Sequence, residues 1–402
     1  MSACAVRDGR RLRYGECIAG MAEGNAGTYM RKNGDRQKRA GKWIIKIELI
    51  ILLAFVCAAA NRELRGRSAE RLRQEGETAA ERTAETGEAI EVSAAGNYIK
   101  WVEFHATCEA LAAAYELDVA SCQEEVHVNW IELLAYAGAK HGGKFDRNSV
   151  REIEAAAKEL RAGETTMGKL TKDMEYYEYY LEAYSAVLSG MVGEFSLMEE
   201  GKWHKYYGLK AFSPIAKGFD YSHYDDFGSS RSYGYSRPHL GHDMMGQIGS
   251  PIIAVESGIV EALGWNQYGG WRIGIRSFDG RRYYYYAHLR QNYPYAEGLA
   301  EGDVVTAGDV IGYMGHTGYS VKENVNNIET VHLHWGLQLI FDESQKEGNN
   351  EIWIDCYELT KFLYRNRSEA AKVGDTREWR RVQEMQDPEV EKHCKKDTPM
   401  IQ

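Results

Sequence analysis

Arg237-Pro238-His239-Leu240-Gly241-His242-Asp243 and, about ninety residues later, His332-Leu333-His334-Trp335-Gly336 are the stretches from which the chain is best read. A His and an Asp four apart, followed by two His at i and i+2 in a strand-like run, read as a mononuclear zinc site. Zinc takes imidazole nitrogens and carboxylate oxygens at ~2.0–2.2 Å, and a catalytic site keeps its fourth place for water. In a straight strand, residues four apart stand ~13 Å from each other, so His239 and Asp243 meet only if the chain curls between them. Gly241 is expected to supply that freedom. His332 and His334 point to one face with roots ~6.6–7 Å apart, so one can hold a metal while the other reaches the water. His288, in Tyr286-Ala287-His288-Leu289, ends a tyrosine-rich run and can face the same water. A closed structural zinc would want four protein ligands, usually cysteines.

Around these motifs the hydrophobic period is two. Residues 252–255, 258–263, 271–276, 282–287, 310–314 and 332–340 are short β-branched or aromatic runs separated by glycine-containing turns, of which Asp279-Gly280 is a hairpin signal. This predicts a mainly antiparallel β domain over 209–345. Trp265, Tyr268, Trp271, Tyr283 to Tyr286 and Trp335 can line a substrate groove, although alternation must send half of them to the core. Upstream, over 97–208, the period becomes helical: Trp101, Phe104, Cys108, Leu111 and Tyr115 share one face, and Tyr177, Tyr180, Leu181, Tyr184, Val187, Leu188 and Met191 another. Asp146 and Asn148 stand as caps of a third helix. A helical domain with an aromatic core is expected there. Downstream, 346–402 reads as a short helix over 357–364 and a charged tail from Arg377 that is expected to be disordered.

The net charge is −10, but residues 1–42 carry +6, which leaves −16 on the remainder and makes nucleic acid a poor partner. Residues 1–42 are expected to be a disordered cytoplasmic tail. Residues 43–60 are an apolar run read either as a transmembrane anchor or as a signal peptide with Ala58-Ala59-Ala60 at its cleavage site, the latter requiring translation from Met21 or Met30. Either reading attaches or delivers the protein through the membrane and sends the C-terminal body out of the cytosol, single-pass or secreted. Residues 61–96 suit an exposed linker or stalk. The seven cysteines are scattered; Cys108 and Cys122 are either a pair or two buried thiols. The fold class is thus α+β: an N-terminal membrane segment, a helical domain, then a mainly antiparallel β domain that carries the metal motifs, a metallopeptidase domain by the resemblance that follows.

The order His-x-x-x-Asp, Ala-His-Leu, Gly-x-x-Gly-x-Thr-Gly and His-x-His resembles the lysostaphin/LytM-type zinc metallopeptidases, which cleave peptide cross-links of bacterial peptidoglycan. The resemblance covers roughly 210–342. It implies that His239, Asp243 and His334 hold Zn2+ and that His288 and His332 are the catalytic histidines, one of them taking the proton of the attacking water. A tyrosine upstream of the first ligand assists in that family, which points to Tyr233 or Tyr235. His242 is expected on the opposite face of its strand and His316 at the groove rim. The competing expectation is a non-catalytic, membrane-anchored scaffold or activator that binds a partner or the wall.

Overall fold

The computed structural model describes residues 104–232, 236–346 and 351–396. The readings of 1–42, 43–60 and 61–96, and of Tyr233 and Tyr235, lie outside them. Among the described residues no helix is long and apolar enough to cross a membrane.

The described residues begin with five helices: α1 (Cys108–Ser121), α2 (Trp130–His141), α3 (Arg147–Arg161), α4 (Met167–Thr171) and α5 (Tyr177–Leu188). Their ends follow from local chemistry. The Thr107 side chain accepts from the Ala110 amide at the start of α1, and Asn129 does the same for α2. Asp146 and Ser149 form a reciprocal capping box at the start of α3, so Asp146 is the cap and Asn148 lies inside the helix. The stripe on α5 is core: Tyr177, Tyr180, Tyr184, Val187 and Leu188 are buried, and Tyr184 meets Phe104 edge-on at 5.6 Å. Cys108 opens α1 and Cys122 caps its far end, so the helix rise alone separates them by about 21 Å. That excludes a disulfide between them.

The period then changes to two. A hairpin, β1 (Val192–Glu199) and β2 (Lys202–Leu209), falls inside the stretch that was expected to be helical. There follow β3 (Ser222–His223), β4 (Ser230–Ser232), β5 (Ser236–Pro238), β6 (His242–Met245), β7 (Pro251–Ile253), β8 (Gly258–Asn266), β9 (Gly270–Ser277), β10 (Arg282–Ala287), β11 (Val304–Val305), β12 (Val310–Tyr313), β13 (His332–Leu339) and β14 (Ile352–Ile354). Eight of these form one sheet in the order β11-β8-β9-β10-β13-β6-β3, with β14 also on β13, and every ladder between named strands is antiparallel. Asp279-Gly280 makes the turn from β9 to β10, with Gly280 at φ 74.

Alternation along β10 divides its tyrosines. Tyr284 and Tyr286 are fully buried, their hydroxyls tied to Glu256 and to the Val255 amide, while Tyr283 and Tyr285 face the opposite side. Helices and sheet share one continuous apolar cluster from Phe104 to Leu363. The short helix α6 (Tyr357–Leu363) joins them: its Phe362 stacks on Trp130 at 5.9 Å and meets Tyr115 at 5.7 Å.

Where disorder was expected after Arg377, the described chain is ordered through Lys396. β15 (Ala370–Lys372) pairs with β16 (Trp379–Arg381), β17 (Met385–Gln386) adds to β1, and α7 (Pro388–Lys396) follows. Two ion pairs hold this segment, the first of them buried. Asp387 receives Lys210 Nζ and Ser257 Oγ, both at 2.8 Å, and Arg381 pairs with Asp309 at 2.9 Å.

Candidate metal centre

Asp243 on β6 and His334 on β13 are directly opposite in the ladder. Residues so paired have roots only ~4.5–5.5 Å apart. His239 reaches them from the crossing between β5 and β6, where the chain turns; its amide donates to Ser229 O and its carbonyl accepts from Gly228 N. His239 Nε2 stands 3.0 Å from Asp243 Oδ1 and 3.1 Å from His334 Nδ1, and the last two atoms are 2.9 Å apart. Three electron-rich atoms in so small a triangle need a shared proton or a cation among them. A tetrahedral zinc with 2.0–2.2 Å bonds has ligand edges of about 3.3–3.6 Å, so the set fits after opening by a few tenths of an ångström. His239, Asp243 and His334 are the one metal-competent cluster found among the described residues.

The surroundings point each donor inward. His239 Nδ1 donates to the Asp226 carbonyl at 3.4 Å, with the Asp226 carboxylate 3.2 Å away, which leaves Nε2 as a lone pair. Arg231 binds Asp226 and stands 3.4 Å from Asp243 Oδ2, so Oδ1 is left for the cluster. Burial pushes the Asp243 carboxyl up, but the imidazoles of His239 and His334 draw it well below the usual carboxylate range and keep it ionised. Burial likewise lowers the His239 imidazole, and hydrogen bonding to Asp243 more than offsets it, so this group titrates above its ordinary value.

His288 and His332 stand on the open side. Their ring centroids are 4.7 Å apart, and His288 lies 5.8 Å from His334. His332 Nε2 is 3.7 Å from Asp243 Oδ1. Each fixes its tautomer on a backbone carbonyl: His288 Nδ1 donates to Thr317 O at 2.9 Å, and His332 Nδ1 to Thr330 O at 2.8 Å. Burial pushes both imidazoles down, His288 the further, with its neighbouring imidazoles adding to the effect. Both are therefore neutral near pH 7 with Nε2 as acceptor. His288 also holds φ 62, a left-handed conformation costing about 1–3 kcal/mol in a non-glycine residue. Two backbone bonds clamp it, from its amide to Gly269 O and from the Gly315 amide to its carbonyl.

The cluster opens into a groove of about 1120 Å³ walled by β8, β9, β10 and β13. Tyr268, Tyr283 and Tyr285 line it. Trp335 is fully buried instead, and Trp265 and Trp271 pair edge-on away from it. Trp353 lines the groove and was not anticipated; a tryptophan in a short strand after the motifs carries no spacing signal. Neither did Asp226, whose distance from His239 fits no motif. His242 is 1% exposed on the far face of β6, hydrogen-bonded to His223 at 2.8 Å, and burial pushes it down to about 3. His316 is not a lining residue; its Nδ1 donates to Ile328 O and so fastens the loop that forms one wall.

Gly241 has a different role from the one expected. Its φ is not in the left-handed region, but a Cβ on it would lie 2.5 Å from His334 Cε1 and Nε2. The glycine is required for clearance behind the His334 imidazole, not for a special backbone angle.

A mainly antiparallel domain thus presents a His-Asp-His cluster at the end of a groove. Residues 237–349 match the sequence model of peptidase family M23. The chain is 36% identical over 168 residues to the L-Ala–D-Glu endopeptidase of Bacillus subtilis, covering 42% of this chain and 48% of that protein. It is 37% identical over 89 residues to lysostaphin of Staphylococcus staphylolyticus, covering 22% and 18%. A crystal structure from Ruminococcus gnavus, assigned as a glycyl-glycine endopeptidase LytM, is 24% identical with TM-score 0.43, covering 67% of this chain and 93% of that one. The chain thus spans about half of the first relative and under a fifth of lysostaphin.

Proposed function

We propose that the protein is a zinc-dependent endopeptidase that hydrolyses peptide cross-links of bacterial peptidoglycan, acting outside the cytosol. The observation that carries this reading is the three-ligand cluster open to a groove on the side where two neutral histidines stand. In this reading His239 Nε2, Asp243 Oδ1 and His334 Nδ1 hold the zinc. When bound, the metal supplies a Lewis acid and lowers the pKa of water at its open position.

The protein's own groups do the rest. His332, with Nδ1 committed to Thr330, presents an unprotonated Nε2 and acts as general base toward water in the groove. His288, locked through Thr317 and its own backbone, faces the same place and, once protonated, donates to the oxyanion of the attacked carbonyl. Tyr283 and Tyr285 form the floor on which an extended peptide lies. The printed name of one relative, L-Ala–D-Glu endopeptidase, supports a peptide with a D-residue as the substrate.

The test is mass spectrometry of muropeptides released from isolated peptidoglycan by the purified chain, with and without chelator. New peptide termini that disappear with chelator and return with zinc are expected. A protein that binds zinc stoichiometrically and cleaves no wall preparation would make it a binding module instead.

A further inference from the structure

The register of the sheet places one more charged group in the row that holds the cluster. Asp243 on β6 pairs with His334 on β13, and His334 with Ala287 on β10. Tyr286 pairs with Ile273, so the next position of β9, Arg272, continues the row beyond Ala287. Two strand spacings put the roots of Arg272 and His334 about 9–10 Å apart. Only the Ala287 methyl stands between them on the groove face, and all four residues line the groove.

Three lysine or arginine side chains line that groove, and two are already neutralised. Arg231 is paired with Asp226 and Asp243, and Lys346 with Glu261 and Glu343. Arg272 has no ion pair and no side-chain hydrogen bond among the described residues, and its Nε is buried without a partner. Arg276 and Arg290 also hold an unpartnered nitrogen, but neither lines the groove; Arg276 is paired with Glu261 and Glu343, and Arg290 lies over the Tyr313 ring at 4.3 Å. A buried donor left unsatisfied is costly, and the cost is recovered when a ligand brings an acceptor. A guanidinium fork is complementary to a carboxylate, which it binds through two parallel hydrogen bonds.

We infer that Arg272 is a specificity-determining residue that binds a free carboxylate of the substrate within one residue of the cleaved bond. The ligand class is therefore an acidic peptide rather than a run of uncharged residues. The distance fits, since an acidic side chain and the arginine together span the gap across Ala287. This inference rests on the endopeptidase reading above and adds the chemistry recognised beside the scissile bond.

The experiment compares wall peptides carrying free carboxylates with the same peptides converted to carboxamides, using the full zinc-loaded chain and measuring kcat/KM for each. A charge-assisted hydrogen bond leads to an expected preference for the carboxylate form of about 10- to 100-fold in the wild type. In Arg272→Gln that ratio should fall to near one, mainly through KM, at unchanged zinc content. Arg272→Lys keeps the charge but loses the fork and should fall between. If Arg272→Gln does not fold, the lysine variant decides: an unchanged ratio overturns the inference. So does a wild type that cleaves both forms equally, or a glutamine variant that keeps the wild-type ratio. A wild type that cleaves neither form overturns the endopeptidase reading itself.

Discussion

Two of the charged clusters among the described residues are built on opposite rules. In the first, Glu256 receives Arg282 Nε and Nη2 and the Tyr284 hydroxyl, while Arg282 also donates to Asp279 and to the Ala186 carbonyl of α5. Donors meet acceptors, opposite charges cancel, and the cluster joins helices to sheet. In the second, His239, Asp243 and His334 turn electron-rich atoms toward one another at 2.9–3.1 Å with one side open. The first is complete without a ligand. The second needs a shared proton or a cation among its atoms, and this sets the open cluster apart from the closed one.

The contrast is broken most sharply by two truncations. His239→Ala is expected to remove both zinc and cleavage while leaving the folded apo-protein's denaturant midpoint nearly unchanged. Glu256→Ala should do the reverse: breaking a buried pair costs about 3–5 kcal/mol of stability, while zinc per folded chain, read by elemental analysis, stays the same. Loss of zinc in Glu256→Ala would mean the clusters are coupled through the sheet. Gly241→Val comes next. It removes no ligand, yet it drives a side chain into the His334 ring, so metal content should fall with the far-UV spectrum preserved. His332→Ala should keep zinc and lower kcat by about 10²–10⁴-fold, as expected for loss of a general base. Because burial holds the His332 and His288 imidazoles below 6.5, the acid limb of wild-type kcat/KM should lie below that pH. Zinc loss in His332→Ala would reassign that residue as a ligand.

How much of this could be read from the sequence depends on what kind of signal each part leaves. His332 and His334 were legible because strand alternation fixes side-chain direction, and the division of Tyr283 to Tyr286 into core and groove follows from the same period. The groups that lock His288 and His332 were not legible, because they are the carbonyls of Thr317 and Thr330, and any residue supplies a carbonyl. Gly241 was found for the wrong reason: the sequence shows a glycine, but only the neighbouring His334 shows what it makes room for. The hairpin of β1 and β2 and the ordered C-terminal segment were hidden by composition. Lys202, His204 and Lys205 leave the hairpin with a weak apolar alternation, and Asp387 looks like one more acid in a charged tail until Lys210 and Ser257 enclose it.

The finest distinction between the two clusters lies one layer out from His239, Asp243 and His334. Asp226 does for His239 what Glu256 does for Arg282, holding a charged or polar partner in place, but its effect should be read in metal affinity and not in stability. Asp226→Asn keeps the shape and the backbone carbonyl that accepts from His239 Nδ1. It removes the carboxylate that favours the protonated Nδ1 and pairs with Arg231. Second-layer partners of this kind typically contribute 10- to 100-fold in metal affinity. Competition with a chelator of known strength should therefore show zinc held about 10- to 100-fold more weakly, with an unfolding midpoint close to wild type. If instead the midpoint falls and zinc affinity is unchanged, Asp226 belongs to the closed kind of cluster. Its contact with Arg231 is then a loop fastening that happens to lie beside the site.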